Sequence, residues 1–392
     1  MRAPRHNGAV RVVEVDGSER SIRSLTQALA DALDGGTPVL PVDATAPTAK
    51  DVVTAMRPDD PVPSSTAVLI ATSGSTGHPK GVLLSAAALT ASANATHARL
   101  GGPGRWLLAT PAQYIGGLQV LVRSVLSGHE PGVLDLSAGF RPEAFAAAAE
   151  PVLSEPGPHY TALVPTQLVR LLEAGGPALA AAREFDAIIV GGAALPREVR
   201  EHARTSAVRA ISSYGMTETC GGCVYDGRPL DGVQVRIGPT GRIELSGAVL
   251  ASGYRESACA PRWQLHDGWF RTEDLGRITD GVLEVLGRAD DVINSGGVKV
   301  SAPAVEQILR GHPAVRACAV VGIPDAEWGE VVSALVVPTD PANPPSVAEL
   351  RAHVRAGEGK AAAPKVVRFA TELPLRGPGK VDRRAVRDAL ES

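Results

Sequence analysis

Apolar runs of strand length alternate with helix-length stretches through the first two-thirds of the chain. STAVLIATSG (65–74) reads as a buried strand entering a Gly-rich loop, and SAAALTASANATHARLG (85–101) as an Ala-rich helix with Ser85 as its N-cap. RWLLATP (105–111) and GGLQVLVRSVLSG (116–128) form the next strand and helix, and HYTALVP (159–165) with TQLVRLLEAG (166–175) another pair. FDAIIVGGAAL (185–195) and VRAISSYGMTE (208–218) are strands that each end in a Gly-containing loop. This rhythm predicts an α/β domain of mainly parallel sheets with helices. Ligands gather at the carboxyl ends of such strands, where the polar loops 72–81, 111–117, 191–194 and 213–219 are expected.

From about Asp226 the texture changes. Short alternating segments broken by Gly and Pro, over about 226–287, predict a small β-barrel-like subdomain. A compact α+β pattern follows, with a helix near 301–310, strands at 314–323 and 330–338, and a helix at 346–356. A strand at 365–370 and a last helix at 381–390 complete it. A chain of 392 residues is long for one core. The expected division is an N-terminal domain, 1–287, and a small C-terminal domain, 288–392, meeting near Gly287-Arg288-Ala289-Asp290.

Composition narrows the class. Hydrophobic residues at 44% and charged residues at 21% are ordinary for a soluble enzyme. A net charge of −3 gives no basic surface for nucleic acid. No apolar run is long enough for membrane insertion, and MRAPRHNGAVRVVEVDG lacks the apolar core of a secretory signal, so a cytoplasmic protein is expected. Cys220 and Cys223 form a C-x-x-C with no second ligand pair nearby in sequence; two small buried thiols are expected rather than zinc or redox chemistry.

Four segments carry candidate chemistry. In ATSGSTGHPKG (71–81), Gly74 and Gly77 free the backbone to turn N–H groups toward one anion, Ser73, Ser75 and Thr76 add hydroxyls, and Lys80 adds a charge. The spacing is not that of a P-loop, since only Ser75 and Thr76 separate the glycines and Gly81 follows Lys80. A solvated turn before a helix is the plain alternative. In SSYGMTET (212–219), the Tyr214 ring suits a flat base, Gly215 a close approach, and Thr217 with Glu218 a phosphate and a magnesium ion; a helix N-cap fits the same residues. In GWFRTEDLG (268–276), Asp274 suits two ribose hydroxyls, with Arg288 and Asp290 further on; surface ion pairs are the alternative. LPLRGPGKVDRRAV (373–386) presents Lys380 after a Gly-Pro-Gly tip, or is a basic tail.

The order of these segments is more specific than any one of them. A Ser/Thr/Gly loop with PKG, YGMTE, an aromatic-R-T-x-D-L segment, GRxDDxIxxGGxKV and PLxxxGKxxR together resemble the adenylate-forming superfamily of acyl-CoA synthetases, luciferases and adenylation domains. The resemblance runs from about residue 64 to 386. It implies a large N-terminal domain, a mobile C-terminal domain, and a two-step reaction using ATP, Mg2+ and CoA: a carboxylate is adenylated with release of pyrophosphate, and a thiol then displaces AMP. It further implies that Thr72–Gly81 hold the β- and γ-phosphates, Tyr214 stacks on adenine beside Ser213, and Gly191-Gly192-Ala193 line its other side. Thr217 would contact the α-phosphate, Glu218 the magnesium, Asp274 the ribose with Arg288 beside it. Asp290 would be the hinge, Lys299 would lie on the face used for thioesterification, and Lys380 would bridge the attacking carboxylate and the α-phosphate.

Three departures stand out. Glu273 replaces the usual glycine before Asp274, Tyr114 stands where many relatives carry histidine, and the sequence ahead of the phosphate loop is short. The short architecture, with GGLQVLVRSVLSG, VPTQLVRLL and YGMTETCGGCVYDGRPLDGV, resembles the compact o-succinylbenzoate–CoA ligases of menaquinone biosynthesis. Such an acid carries a second carboxylate, and Arg123, a cation in an apolar helix, is the candidate partner; snorkelling to solvent is the alternative. Thr166, Gln167, Gly215, Gly222 and Tyr114 are candidates for the rest of the pocket. A fatty or aryl acid, or a carrier-protein thiol in place of CoA, stays open within the same chemistry, as does a homodimer. A non-catalytic nucleotide-binding module would have lost one of Glu218, Asp274, Arg288 or Lys380, and all four are present. Lys380→Ala should cut adenylation by roughly 10²-fold or more, yet spare thioester formation from supplied acyl-adenylate; equal loss in both half-reactions would refute the role.

Overall fold

The computed structural model describes residues 8–73, 79–255, 263, 265–375 and 381–392. By internal contacts the chain forms two compact units, 1–235 with 245–270, and 236–244 with 271–392. The second unit therefore takes in residues 271–287, ahead of the segment expected to act as a hinge. Packing and hinge position are different quantities, and the division reports only the first.

The larger unit holds two sheets. One runs Arg11–Val15, Val39–Asp43, Thr66–Ser73, Pro79–Ser85, Gly253–Tyr254 in spatial order. Its first three strands are parallel; Thr66–Ser73 and Pro79–Ser85 form an antiparallel hairpin. The other has seven strands, ordered Arg228–Pro229, Gly221–Tyr225, Ala210–Met216, Ala187–Val190, His159–Leu163, Arg105–Leu108, Gly132–Val133. From Ala210–Met216 to Gly132–Val133 every pairing is parallel, as the strand–helix rhythm predicts. The loop at 191–194 follows the carboxyl end of Ala187–Val190, whereas 213–216, expected in a loop, belong to strand Ala210–Met216, and only Thr217–Thr219 form the turn after it.

Local chemistry explains the helices between them. Ser85 caps Ala86–Leu100 by accepting from the Ala88 N–H at 3.1 Å, and Gly101 ends it in a left-handed conformation. Ile115–Ser127 buries Leu118, Val120, Leu121 and Val122 completely, so it is an interior helix with almost no polar face. No element is predicted above for the first 64 residues, yet Glu19–Leu33 is a helix capped by Ser18, with Ile22, Leu25 and Leu29 buried. Below the seven-stranded sheet, Phe145 lies between the rings of Phe140 and Phe185, at 6.0 and 5.9 Å.

The smaller unit is the expected α+β body. Gly329–Pro338 pairs antiparallel with Val315–Asp325 and parallel with Val366–Phe369. Helices Ala302–Arg310 and Val347–Glu358 pack Val305, Leu309, Leu350 and Val354 on one face. Arg383–Glu391, capped by Asp382, packs Val386 and Leu390 on the other. The hairpin Trp269–Thr279 with Val282–Arg288 contributes its larger part to this unit. Among the described residues no helix is long and apolar enough to cross a membrane.

Phe145 is fully buried, so Phe145→Ala should lower stability by about 3–5 kcal/mol. Urea unfolding followed by tryptophan fluorescence checks this; a change below about 1 kcal/mol would mean that the site collapses around the lost ring.

Candidate active site

Segment 72–81, expected to hold phosphates, includes the ends of two paired antiparallel strands, Thr66–Ser73 and Pro79–Ser85, and does not lead directly from a strand into a helix. Thr72 pairs with Lys80, and Thr72 Oγ1 donates to the Lys80 carbonyl at 3.1 Å. Gly81 admits no side chain there, because a Cβ would lie 2.8 Å from Met56 Sδ and 3.0 Å from Arg255 Cβ. Gly74, Ser75, Thr76 and Gly77, and the side chain of Ser73, lie outside the described residues.

Lys80 pairs with Glu218. Its Nζ is 2.7 Å from Glu218 Oε1, and the Tyr254 hydroxyl donates to the same oxygen at 2.8 Å. The ammonium also lies 4.1 Å from the centre of the Tyr254 ring. Tyr254 is placed by the short strand Gly253–Tyr254, which adds to the hairpin's edge opposite Val82 and Leu83. Lys80 is two residues from Val82, so both side chains share one face. The edge of Trp263, 5.2 Å away, braces the ring. No motif marked Tyr254; only the strand pairing reveals it.

Glu218 sits in the turn Thr217–Thr219 that follows strand Ala210–Met216 and is itself buried. Its carbonyl accepts from the Ala251 N–H at 2.8 Å, and Thr219 ties the turn by accepting from the Met216 N–H at 2.9 Å. The turn returns into Gly221–Tyr225, antiparallel to the first strand. Ser213, Tyr214 and Gly215 therefore lie opposite Tyr225, Val224 and Gly222. A Cβ on Gly215 would come within 2.0 Å of the Gly221 carbonyl oxygen, so only glycine fits. A Cβ on Gly222 would meet side chains instead, Ser213 Oγ first, which would have to rotate away. Gly191 bonds to the Leu163 carbonyl at 3.1 Å, with Gly192 at positive φ and Ala193 exposed beside it. The half-buried Tyr214 and Thr217 stand in the same strand and turn.

Arg123 does not snorkel. It is only 3% exposed; its Nε has no hydrogen-bond partner, and no ion pair to it is found among the described residues. Burial pushes its pKa down. Its guanidinium carbon lies 4.9 Å from the centre of the Trp106 ring. One helical turn earlier, Gln119 Nε2 donates to the Cys220 carbonyl at 2.8 Å while its Oε1 is unpaired. Gln167 uses both ends of its amide on main chain: Nε2 donates to Ala109 O at 2.8 Å, and Oε1 accepts from Val164 N–H at 2.9 Å. It fixes the helix Pro165–Ala174 to the strand beside it. Thr166 is exposed at that helix's start. Tyr114, at the N-cap of Ile115–Ser127, is 41% exposed, and its hydroxyl pKa is raised by desolvation and by Asp43.

In the smaller unit, Asp274 and Arg288 face each other across the hairpin, with Nη1 and Oδ1 3.8 Å apart. Buried Thr272 donates to Ile243 O at 2.9 Å and accepts from the Asp274 N–H at 3.1 Å, so it sets the backbone before the acid. The departure at Glu273 has a partner: Arg242 Nη1 lies 2.6 Å from its Oε1. Lys299 is exposed on the hairpin Val292–Ser295 with Val298–Ser301. Asp290 lies in the turn Ala289–Asp291, but its side chain is outside the described residues, as is the whole of Lys380. Leu375 and Val381, either side of 376–380, form a bridge.

Cys220 and Cys223 are buried, and burial raises both thiol pKa values, that of Cys223 to about 12. They are the inert core thiols that the spacing suggested.

The chain is similar to known proteins in sequence and in fold. The family description "AMP-binding enzyme" matches residues 5–250, and "AMP-binding enzyme C-terminal domain" matches residues 304–380. A probable 2-succinylbenzoate–CoA ligase of Mycobacterium tuberculosis (strain H37Rv) is 45% identical over 92% of this chain and 94% of its own length. The 2-succinylbenzoate–CoA ligase of Bacillus licheniformis is 30% identical over 81% of this chain and 69% of its own. Among solved structures, the o-succinylbenzoate CoA synthetase of Bacillus subtilis with its acyl-adenylate intermediate has the same fold, with a TM-score of 0.77 at 24% identity over 98% of this chain and 89% of that one. ATP-bound MatB of Rhodopseudomonas palustris gives 0.80 at 23% identity, over 98% and 89%. The first matched segment covers most of the larger unit together with residues 236–244 of the smaller, the second lies within the smaller unit, and the chain belongs to the adenylate-forming, AMP-binding enzyme family.

Proposed function

We propose that this enzyme is an AMP-forming acid–CoA ligase whose acid is o-succinylbenzoate, acting in menaquinone biosynthesis. The observation that carries the choice of acid is the buried Arg123 guanidinium, whose Nε is unpartnered and which has no ion pair among the described residues. A buried charge without a partner is costly, and a ligand carboxylate relieves that cost while gaining a planar, bidentate contact. The similarity to 2-succinylbenzoate–CoA ligases supports the same acid.

In this reading the succinyl carboxylate attacks the α-phosphorus of ATP, the bond to the bridging oxygen breaks, and pyrophosphate leaves. The CoA thiol then adds to the acyl carbon, and AMP departs with the bonding pair. Tyr214 and Gly191–Ala193 hold adenine, Asp274 with Arg288 the ribose, and Thr217 the α-phosphate. Segment 72–81 steers pyrophosphate, and Lys380 stabilises the charge that gathers during adenylation. The smaller domain turns about Asp290 to bring the Lys299 face inward for the second step.

Glu218 suits magnesium: Oε1 carries both protein bonds, and no bond from a described residue is drawn to Oε2. A single carboxylate oxygen with substrate phosphates is a common way to hold this ion, which when bound neutralises polyphosphate charge. Lys80 and Tyr254 orient the carboxylate beforehand.

A panel of acids with ATP, magnesium and CoA, read by AMP and thioester, tests the proposal. Turnover should be confined to o-succinylbenzoate, and Arg123→Leu should lower kcat/KM by roughly 10²–10³-fold. Comparable turnover of a fatty acid or of benzoate by the unaltered enzyme would overturn it.

A further inference from the structure

We propose that Trp106 and His97 are positioning residues for substrate selectivity: together they hold the Arg123 guanidinium flat, with its edge donors left for the second carboxylate. This rests on the reading of Arg123 given above. Trp106 is fully buried, and one face of its indole carries the guanidinium, 4.9 Å from the ring centre. Contact between a guanidinium and a ring face uses none of its hydrogen-bonding capacity, because its donors lie in its own plane. Nε is among those edge donors and has no partner.

The indole is fixed on two sides. The Tyr160 ring packs 5.0 Å away, and the indole N–H donates to His97 Nε2 at 3.3 Å. Because Nε2 accepts, the imidazole is neutral with its proton on Nδ1. The Ser127 hydroxyl, 3.4 Å from Nε2, completes its surroundings. Burial, reinforced by the Arg123 charge, lowers the His97 pKa to about 4, so it stays neutral at physiological pH. Tyr225 also faces Arg123, and its hydroxyl is bonded to Thr96 Oγ1 at 3.0 Å. The cluster therefore holds one positive charge, which matches one carboxylate.

The test compares two acids, o-succinylbenzoate and 4-oxo-4-phenylbutanoate, which lacks the ring carboxylate. Trp106→Phe should lower the ratio of their kcat/KM values about tenfold, through KM for the first acid. His97→Leu should do the same, and His97→Gln, which restores an acceptor, should recover most of the ratio. The His97 pair keeps the test open if Trp106→Phe fails to fold. Parallel loss against both acids would mean a purely structural role and would overturn the proposal, as would an unchanged ratio. If Arg123→Leu also leaves the ratio unchanged, the reading of Arg123 falls and this inference with it; if Arg123→Leu abolishes the ratio while the Trp106 and His97 variants keep it, only the inference falls.

Discussion

The main-chain contact between strands Ala210–Met216 and Gly221–Tyr225 is the constraint on which the larger unit's site depends. It exists because Gly215 has no side chain where the Gly221 carbonyl passes. The turn that this contact closes carries Glu218 and leaves the Cys220 carbonyl facing inward, where Ser92 Oγ donates at 3.0 Å and Gln119 at 2.8 Å. One backbone oxygen thus joins the turn to two helices. Tyr214, the Glu218 carboxylate and the helix bearing Arg123 all connect to this turn.

Two buried charges in this unit are treated in opposite ways. Glu218 is matched by Lys80 and Tyr254, so its cost is largely offset within the protein. Arg123 has an aromatic face but no ion pair among the described residues, and aromatic contact offsets only part of the cost of leaving water. Stability alone would favour leucine at such a position. Keeping arginine there is the kind of local conflict that marks a functional site, as in chains that give up some stability for a ligand.

Much of the architecture was legible because it is written locally. Ser85, Ser301 and Ser346 announce helices through their caps, and the apolar runs at 66–73 and 187–190 are long and uniform enough to read as buried strands. The pattern before residue 65 was equally readable in Ser18, Ile22, Leu25 and Leu29, although no element was assigned there. What local pattern cannot supply is pairing. PKGVLLS carries nothing to say that it runs back along 66–73, and Lys80 and Glu218 are 138 residues apart. Motif order pointed to Tyr214, Glu218, Asp274 and Arg288. Tyr254, Trp106 and His97 belong to no motif, and their significance comes only from what they touch. Glu273 looked like a defect in a familiar segment until Arg242 supplied its partner.

The hairpin of Thr66–Ser73 and Pro79–Ser85 also limits how this sequence can drift. Alternate residues of Pro79–Ser85 face opposite ways, so a slip of one register would exchange Lys80 with Gly81. The Gly81 position, closed in by Met56, Leu69 and Arg255, cannot take even a methyl group without displacing its neighbours. A lysine would be forced into that space. An insertion or deletion within Pro79–Ser85 would therefore break the register that sets Lys80 and Gly81 on their faces, so these paired strands hold a fixed count.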